Sequence, residues 1–120
     1  MHSVIETPDY LADAKYAGIT LAERETIVAT LASNPTVGDE IPGTGGARKA
    51  RFAGRGKGKS GGYRVITFYS GPGVPVFLLN MFAKGDRIDL TQAERNELRQ
   101  VLADLASDYL KGVRVYVERR

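Results

Sequence analysis

Eight cations and no carboxylate occupy the stretch from Ile41 to Gly85: Arg48, Lys49, Arg51, Arg55, Lys57, Lys59, Arg64 and Lys84. The same stretch holds eleven of the fourteen glycines. Charge of one sign attracts a polyanion, and backbone without side-chain bulk lets N–H groups approach a phosphate. The chemistry open to these residues is therefore phosphate binding and the stabilisation of negative charge that develops on it. The pattern is local. Residues 1–40 carry seven acids against two bases, and residues 86–120 carry seven of each, so a net charge of +3 conceals a segment of +8.

Other chemistries lack their residues. Gly58-Lys59-Ser60 imitates a nucleotide-binding loop, but Ala53 stands where the pattern needs glycine, and Gly61-Gly62-Tyr63 leads into a strand rather than a helix. Gly54-Arg55-Gly56 lacks the strand–helix setting of a dinucleotide fingerprint. With no cysteine, disulfides, thiolate metal sites and cysteine nucleophiles are excluded. His2 is the only histidine, the basic segment holds no carboxylate pair, and no metal or cofactor is implied. Glu23, Glu25, Glu94 and Glu97 read as solvated faces and caps, while Tyr63, Tyr69 and Phe82 read first as core.

The 120 residues suffice for one domain, 1–120. Ser3–Glu6 reads as a short strand. Thr7-Pro8 opens a helix that stops at Gly18, and the capping box Thr20–Glu23 opens a second, ended by Asn34-Pro35. A loop with a short extended piece near Asp39–Ile41 precedes a strand at Ala47–Phe52. Gly54 to Gly62 is a glycine-rich connection to a strand at Tyr63–Ser70. Gly71-Pro72-Gly73 turns the chain into a strand at Val74–Lys84, apolar on both faces and hence central. A second capping box, Thr91–Glu94, opens a last helix with a stop expected at Gly112, and Val113–Val117 reads as a short strand or tail. The fold expected is α+β, an antiparallel sheet in the order β-α-α-β-β-β-α. Lys49 and Arg51 share a strand face, and with Arg64 and Lys84 they can meet at one rim of the sheet, where an anion would relieve their repulsion.

Gly43-Thr44-Gly45-Gly46-Ala47-Arg48-Lys49-Ala50-Arg51-Phe52, followed by Gly58-Lys59-Ser60-Gly61-Gly62-Tyr63-Arg64-Val65-Ile66 and by Asp89-Leu90-Thr91 at a final helix, resembles the RelE/HigB toxins of bacterial toxin–antitoxin modules. The likeness covers nearly the whole chain, and the run GKSGGYRVI after TGGxRKxR is fairly specific to a HigB-like branch. It implies a RelE-like fold and a ribosome-dependent mRNA endonuclease, an mRNA interferase that inhibits translation. The partners implied are mRNA, the 70S ribosome and a cognate antitoxin, a small helix-turn-helix DNA-binding protein. By position, the resemblance makes Lys49, Arg51, Arg64 and Lys84 catalytic, and gives RNA or ribosome binding to Arg48, Arg55, Lys57 and Lys59. The chain departs from its relatives in having no Tyr or His near Lys84-Gly85-Asp86, and Tyr116 in the tail is a weak substitute.

Without a histidine, the expected reaction is metal-free attack of a 2′-oxygen on the adjacent phosphorus. Arg51 and Arg64 would clamp the phosphate, and Lys49 or Lys84 would exchange protons. Two other readings stay open: a nucleic-acid-binding module without turnover, and a ParE-like toxin directed at a protein. The first residues do not read as a signal peptide, and the apolar run Val74 to Phe82 is too short to span a bilayer, so a cytoplasmic protein with no membrane partner is expected.

Overall fold

The computed structural model describes residues 2–54, 62–83 and 90–118, with side chains as far as 108. Its elements are β1 (Val4–Glu6), α1 (Pro8–Tyr16), α2 (Leu21–Ser33), β2 (Asp39–Glu40), β3 (Ala47–Phe52), β4 (Tyr63–Phe68), β5 (Val76–Ala83) and α3 (Gln92–Glu118). The strands form one sheet in the order β1-β5-β4-β3-β2. The pairs from β2 to β5 are antiparallel, as expected of a meander, and β1 adds a parallel edge beside β5. The result is the expected α+β domain, but with β1 parallel to β5 its sheet is mixed rather than wholly antiparallel.

Local chemistry fixes the helix starts. Thr20 and Glu23 form the full reciprocal box: the Glu23 amide donates to Thr20 Oγ1 at 3.1 Å, and the Thr20 amide donates to Glu23 Oε1 at 3.0 Å. Thr91 and Glu94 repeat it at 2.8 and 3.2 Å. Thr7 caps α1 and also donates its hydroxyl to the Leu78 carbonyl at 2.7 Å, which ties the helix to β5. Gly18, with φ +75°, ends α1 in a conformation that glycine adopts without strain.

The sheet is covered on both faces. Val65, Val76, Leu78 and Met81 pack against Tyr10, Ala14, Ile27 and Leu31 of α1 and α2. Ala47, Ile66, Phe68, Phe77 and Leu79 pack on the other side, against Leu98, Leu102, Leu105 and Ala106 of α3. Val76 and Leu78 of β5 enter one core and Phe77 and Leu79 the other; an irregular register against Ile66 and Thr67 then shifts the alternation, so that Met81 joins the first core and Phe82 the second. Each fully buried Leu or Val contributes roughly 1.5–3 kcal/mol, against at most about 1 kcal/mol from an exposed ion pair. The half-exposed fork of Arg24 on Glu6 (3.0 and 3.1 Å) thus orients α2 on β1 more than it stabilises the fold.

Strand ends differ from expectation by a residue or two, and the end of α3 by more. α3 does not stop at Gly112 but continues through Val113–Val117 to Glu118. An extended tail needs a strand partner for its amides and carbonyls, whereas a helix pairs them internally and tolerates one glycine at a cost of about 1 kcal/mol.

Candidate nucleic-acid interface

β3 and β4 build the centre of the cationic surface. Ala47 is fully buried on the α3 face, so strand alternation puts Lys49 and Arg51 on that face as well. Arg64 shares it with Ile66 and Phe68 of β4. In the strand register Arg51 stands directly opposite Arg64, Lys49 opposite Ile66, and Phe82 of β5 on the far side of Arg64. Three of the four cations expected to be catalytic thus gather at one end of one sheet face. The fourth, Lys84, lies outside the described residues, as do Arg55, Lys57 and Lys59.

The three are not equivalent. Arg51 is exposed, Lys49 is half-buried, and Arg64 is only 4% exposed, its Nη1 donating to the Tyr63 carbonyl at 3.4 Å. The stem of Arg64 is therefore part of the packing under the sheet rim. Two like charges facing each other across a strand pair repel, and an anion between their head groups offsets that repulsion. The arrangement can hold a phosphate oxygen at the exposed guanidinium, with the buried one providing a fixed second charge.

Arg48 does not join this cluster. It alternates to the opposite face, where its Nη1 donates to the Thr36 and Gly38 carbonyls, both at 3.1 Å. Those bonds hold the bend before β2 against β3.

The run that precedes β3 is scaffolding. Thr44 is fully buried; it donates to the Ile41 carbonyl at 2.7 Å and accepts from the Ala47 amide at 3.0 Å. Arg99 of α3 donates to the Gly43 carbonyl at 3.2 Å, and Arg95 to that of Pro42 at 3.4 Å. The loop is thus fixed at both ends before the chain reaches Lys49. Sequence reading missed Thr44, Arg95 and Arg99 because their partners are backbone carbonyls, which leave no mark on residue type. It missed Asp13 for a similar reason: its Oδ2 accepts from the Met81 amide at 3.0 Å, across 68 residues.

A cavity of about 550 Å³ is lined by none of these cations. No three His, Cys, Asp or Glu side chains are grouped to hold a metal ion among the described residues, and no described helix is long and apolar enough to cross a membrane.

Two helices on one face of a five-stranded sheet, and one long helix beside a cationic strand end on the other, define a class: a small α+β domain with a polyanion-suited sheet rim. The particular family follows from comparison. The model of the RelE toxin of the RelE / RelB toxin-antitoxin system matches residues 11–115, from α1 into the last turns of α3, and the chain belongs to that family. It is a RelE-type toxin of a toxin–antitoxin system, with a cognate antitoxin as partner. Toxins of this family are generally endoribonucleases.

Proposed function

We propose that this toxin is a ribosome-dependent mRNA endonuclease of the HigB-like branch, acting in the cytoplasm without a metal. The observation that carries the reading is the placement of Lys49, Arg51 and Arg64 on one face, with the two arginines directly opposed. In the reaction the 2′-oxygen forms a bond to phosphorus as the bond to the 5′-oxygen breaks. A base takes the 2′-hydroxyl proton, and an acid gives one to the leaving 5′-oxygen. Arg51 binds a non-bridging phosphate oxygen, and Arg64 stabilises the growing charge from below. In this reading Lys49 exchanges a proton with the substrate and Lys84 is its counterpart. The products are a 2′,3′-cyclic phosphate and a 5′-hydroxyl.

Such a site cuts free RNA poorly, because in-line geometry must be imposed on a flexible strand. The ribosome supplies that geometry by holding mRNA in its A site. Primer extension on a message in a purified translation system, with and without ribosomes, tests the reading. Cleavage confined to reactions containing ribosomes is expected. Uncut message under active translation, with growth still poisoned, would assign the toxin a protein target instead.

A further inference from the structure

Next to the cationic face lies the 550 Å³ groove, and its charge is opposite. It opens between α1, the end of β5 and the first turns of α3, and its lining includes Asp9, Asp13, Glu94 and Glu97 but no described Lys or Arg. The lining also includes the apolar side chains of Met81, Phe82, Leu90 and Leu98. Tyr16, at the rim, is 86% exposed, a large aromatic surface that the fold itself does not use. Two of the carboxylates are held in place. Asp13 accepts from Asn80 Nδ2 at 3.2 Å and from the Met81 amide, and Glu94 accepts from the Thr91 amide. Asp9 and Glu97 are exposed at the mouth.

This lining selects its occupant. Four carboxylates repel an RNA backbone. They are not grouped to chelate a metal ion. A lining that mixes apolar side chains with carboxylates and an exposed tyrosine suits side chains with a long aliphatic stem and a cationic head, which are those of Lys and Arg. Phe82 joins the two surfaces, because it lines the groove while pairing in register with Arg64. A partner that covers the cationic rim with acidic residues therefore meets, one strand away, a surface that asks for the opposite sign. Adjacent patches of opposite charge fix both register and partner identity.

We propose that the groove between α1, β5 and α3 docks a Lys- or Arg-bearing segment of the cognate antitoxin. The inference rests on the toxin reading and adds a second contact surface that lies outside the catalytic cations.

The test uses the full chain and the protein encoded by the adjacent open reading frame. Asp9→Lys/Glu97→Lys, the milder Asp9→Asn/Glu97→Gln, and Tyr16→Ala are compared with wild type by isothermal titration calorimetry at two salt concentrations. Thermal denaturation checks each fold. The charge-reversed pair is expected to weaken the complex at least tenfold and to flatten its salt dependence. Toxicity without antitoxin should be unchanged, and Lys→Glu changes in the antitoxin should restore affinity to the reversed toxin alone. Wild-type affinity in all the folded variants overturns the proposal. So do altered RNA affinity or cut sites with antitoxin affinity unchanged, which would give the groove to RNA. A wild-type chain that neither poisons growth nor binds the adjacent gene product overturns the functional reading as well, so the two failures are distinguishable.

Discussion

Arg51 and Arg64 face each other on neighbouring strands, yet they differ in what their loss removes. Arg51 is exposed, so Arg51→Ala should leave the melting temperature unchanged while the single-turnover cleavage rate on programmed ribosomes falls roughly 10²–10³-fold. Arg64 is 4% exposed, so Arg64→Ala would remove packing together with charge. Arg64→Met and Arg64→Lys separate the two: both should keep the fold by circular dichroism, and only the lysine should keep measurable cleavage. An active Arg64→Met protein would reduce Arg64 to a packing residue. Tyr10 allows a stability test remote from the site. Its hydroxyl is buried with no hydrogen-bond partner among the described residues, and desolvation first, then Glu6, pushes its pKa up to about 12. The folded state thus holds the phenolic proton more tightly than the unfolded chain. Stability from this group is fully present below about pH 10 and is lost as pH rises from there toward 12. Tyr10→Phe should be near neutral at pH 7 and should retain more stability than wild type at pH 11, as read from denaturant midpoints.

At the scale of elements, two glycines set how closely β3 approaches its neighbours. A methyl at Gly62 would overlap the Phe52 carbonyl at the open end of the β3–β4 pair, next to Arg51 and Arg64. Gly62→Ala should therefore push those strand ends apart and lower cleavage more than ribosome binding, since a misplacement of about 1 Å can cost 10²-fold in rate. At Gly38, φ is +95° and an added Cβ would lie 2.5 Å from the Lys49 carbonyl. Gly38→Ala should destabilise the protein by roughly 1–3 kcal/mol in chemical denaturation, because it combines strain with a clash against backbone. The helix starts were legible in sequence because each box closes within four residues. The continuation of α3 past Gly112 was not, because it depends on whether the sheet offers Val113–Val117 a strand partner.

For the whole molecule the governing fact is the division of charge. The +8 segment between residues 41 and 85 favours phosphate, and the acids of α1 and α3 line the groove beside it. Long-range attraction and local chemistry should separate in mutants. Lys57→Ala/Lys59→Ala is expected to weaken ribosome association and to shallow its salt dependence, since fewer counterions are released, with the cut sites preserved. Lys49→Ala should bind ribosomes nearly normally and fail to cut, because a strand holds Lys49 in place. Sedimentation with ribosomes at two salt concentrations, alongside primer extension, reads both quantities. Normal binding without cutting in the double mutant, with cutting retained in Lys49→Ala, would move the catalytic lysines to residues 57 and 59.

Sequence alone determined what is written in near neighbours. Capping boxes, the doubly apolar β5 and the order of elements follow from contacts within a turn or from strand alternation, so they could be read without the fold. The same holds for the shared face of Lys49 and Arg51, two residues apart on one strand. Tertiary structure decided everything that depends on register. It set Arg51 against Arg64, buried Arg64, turned Arg48 to the other face, and brought Asp9 and Asp13 of α1 beside Glu94 and Glu97 of α3. The physical reason is that register is fixed by the fit of both cores together. A slip of one residue would exchange the faces of every side chain on a strand, and no local pattern records that choice.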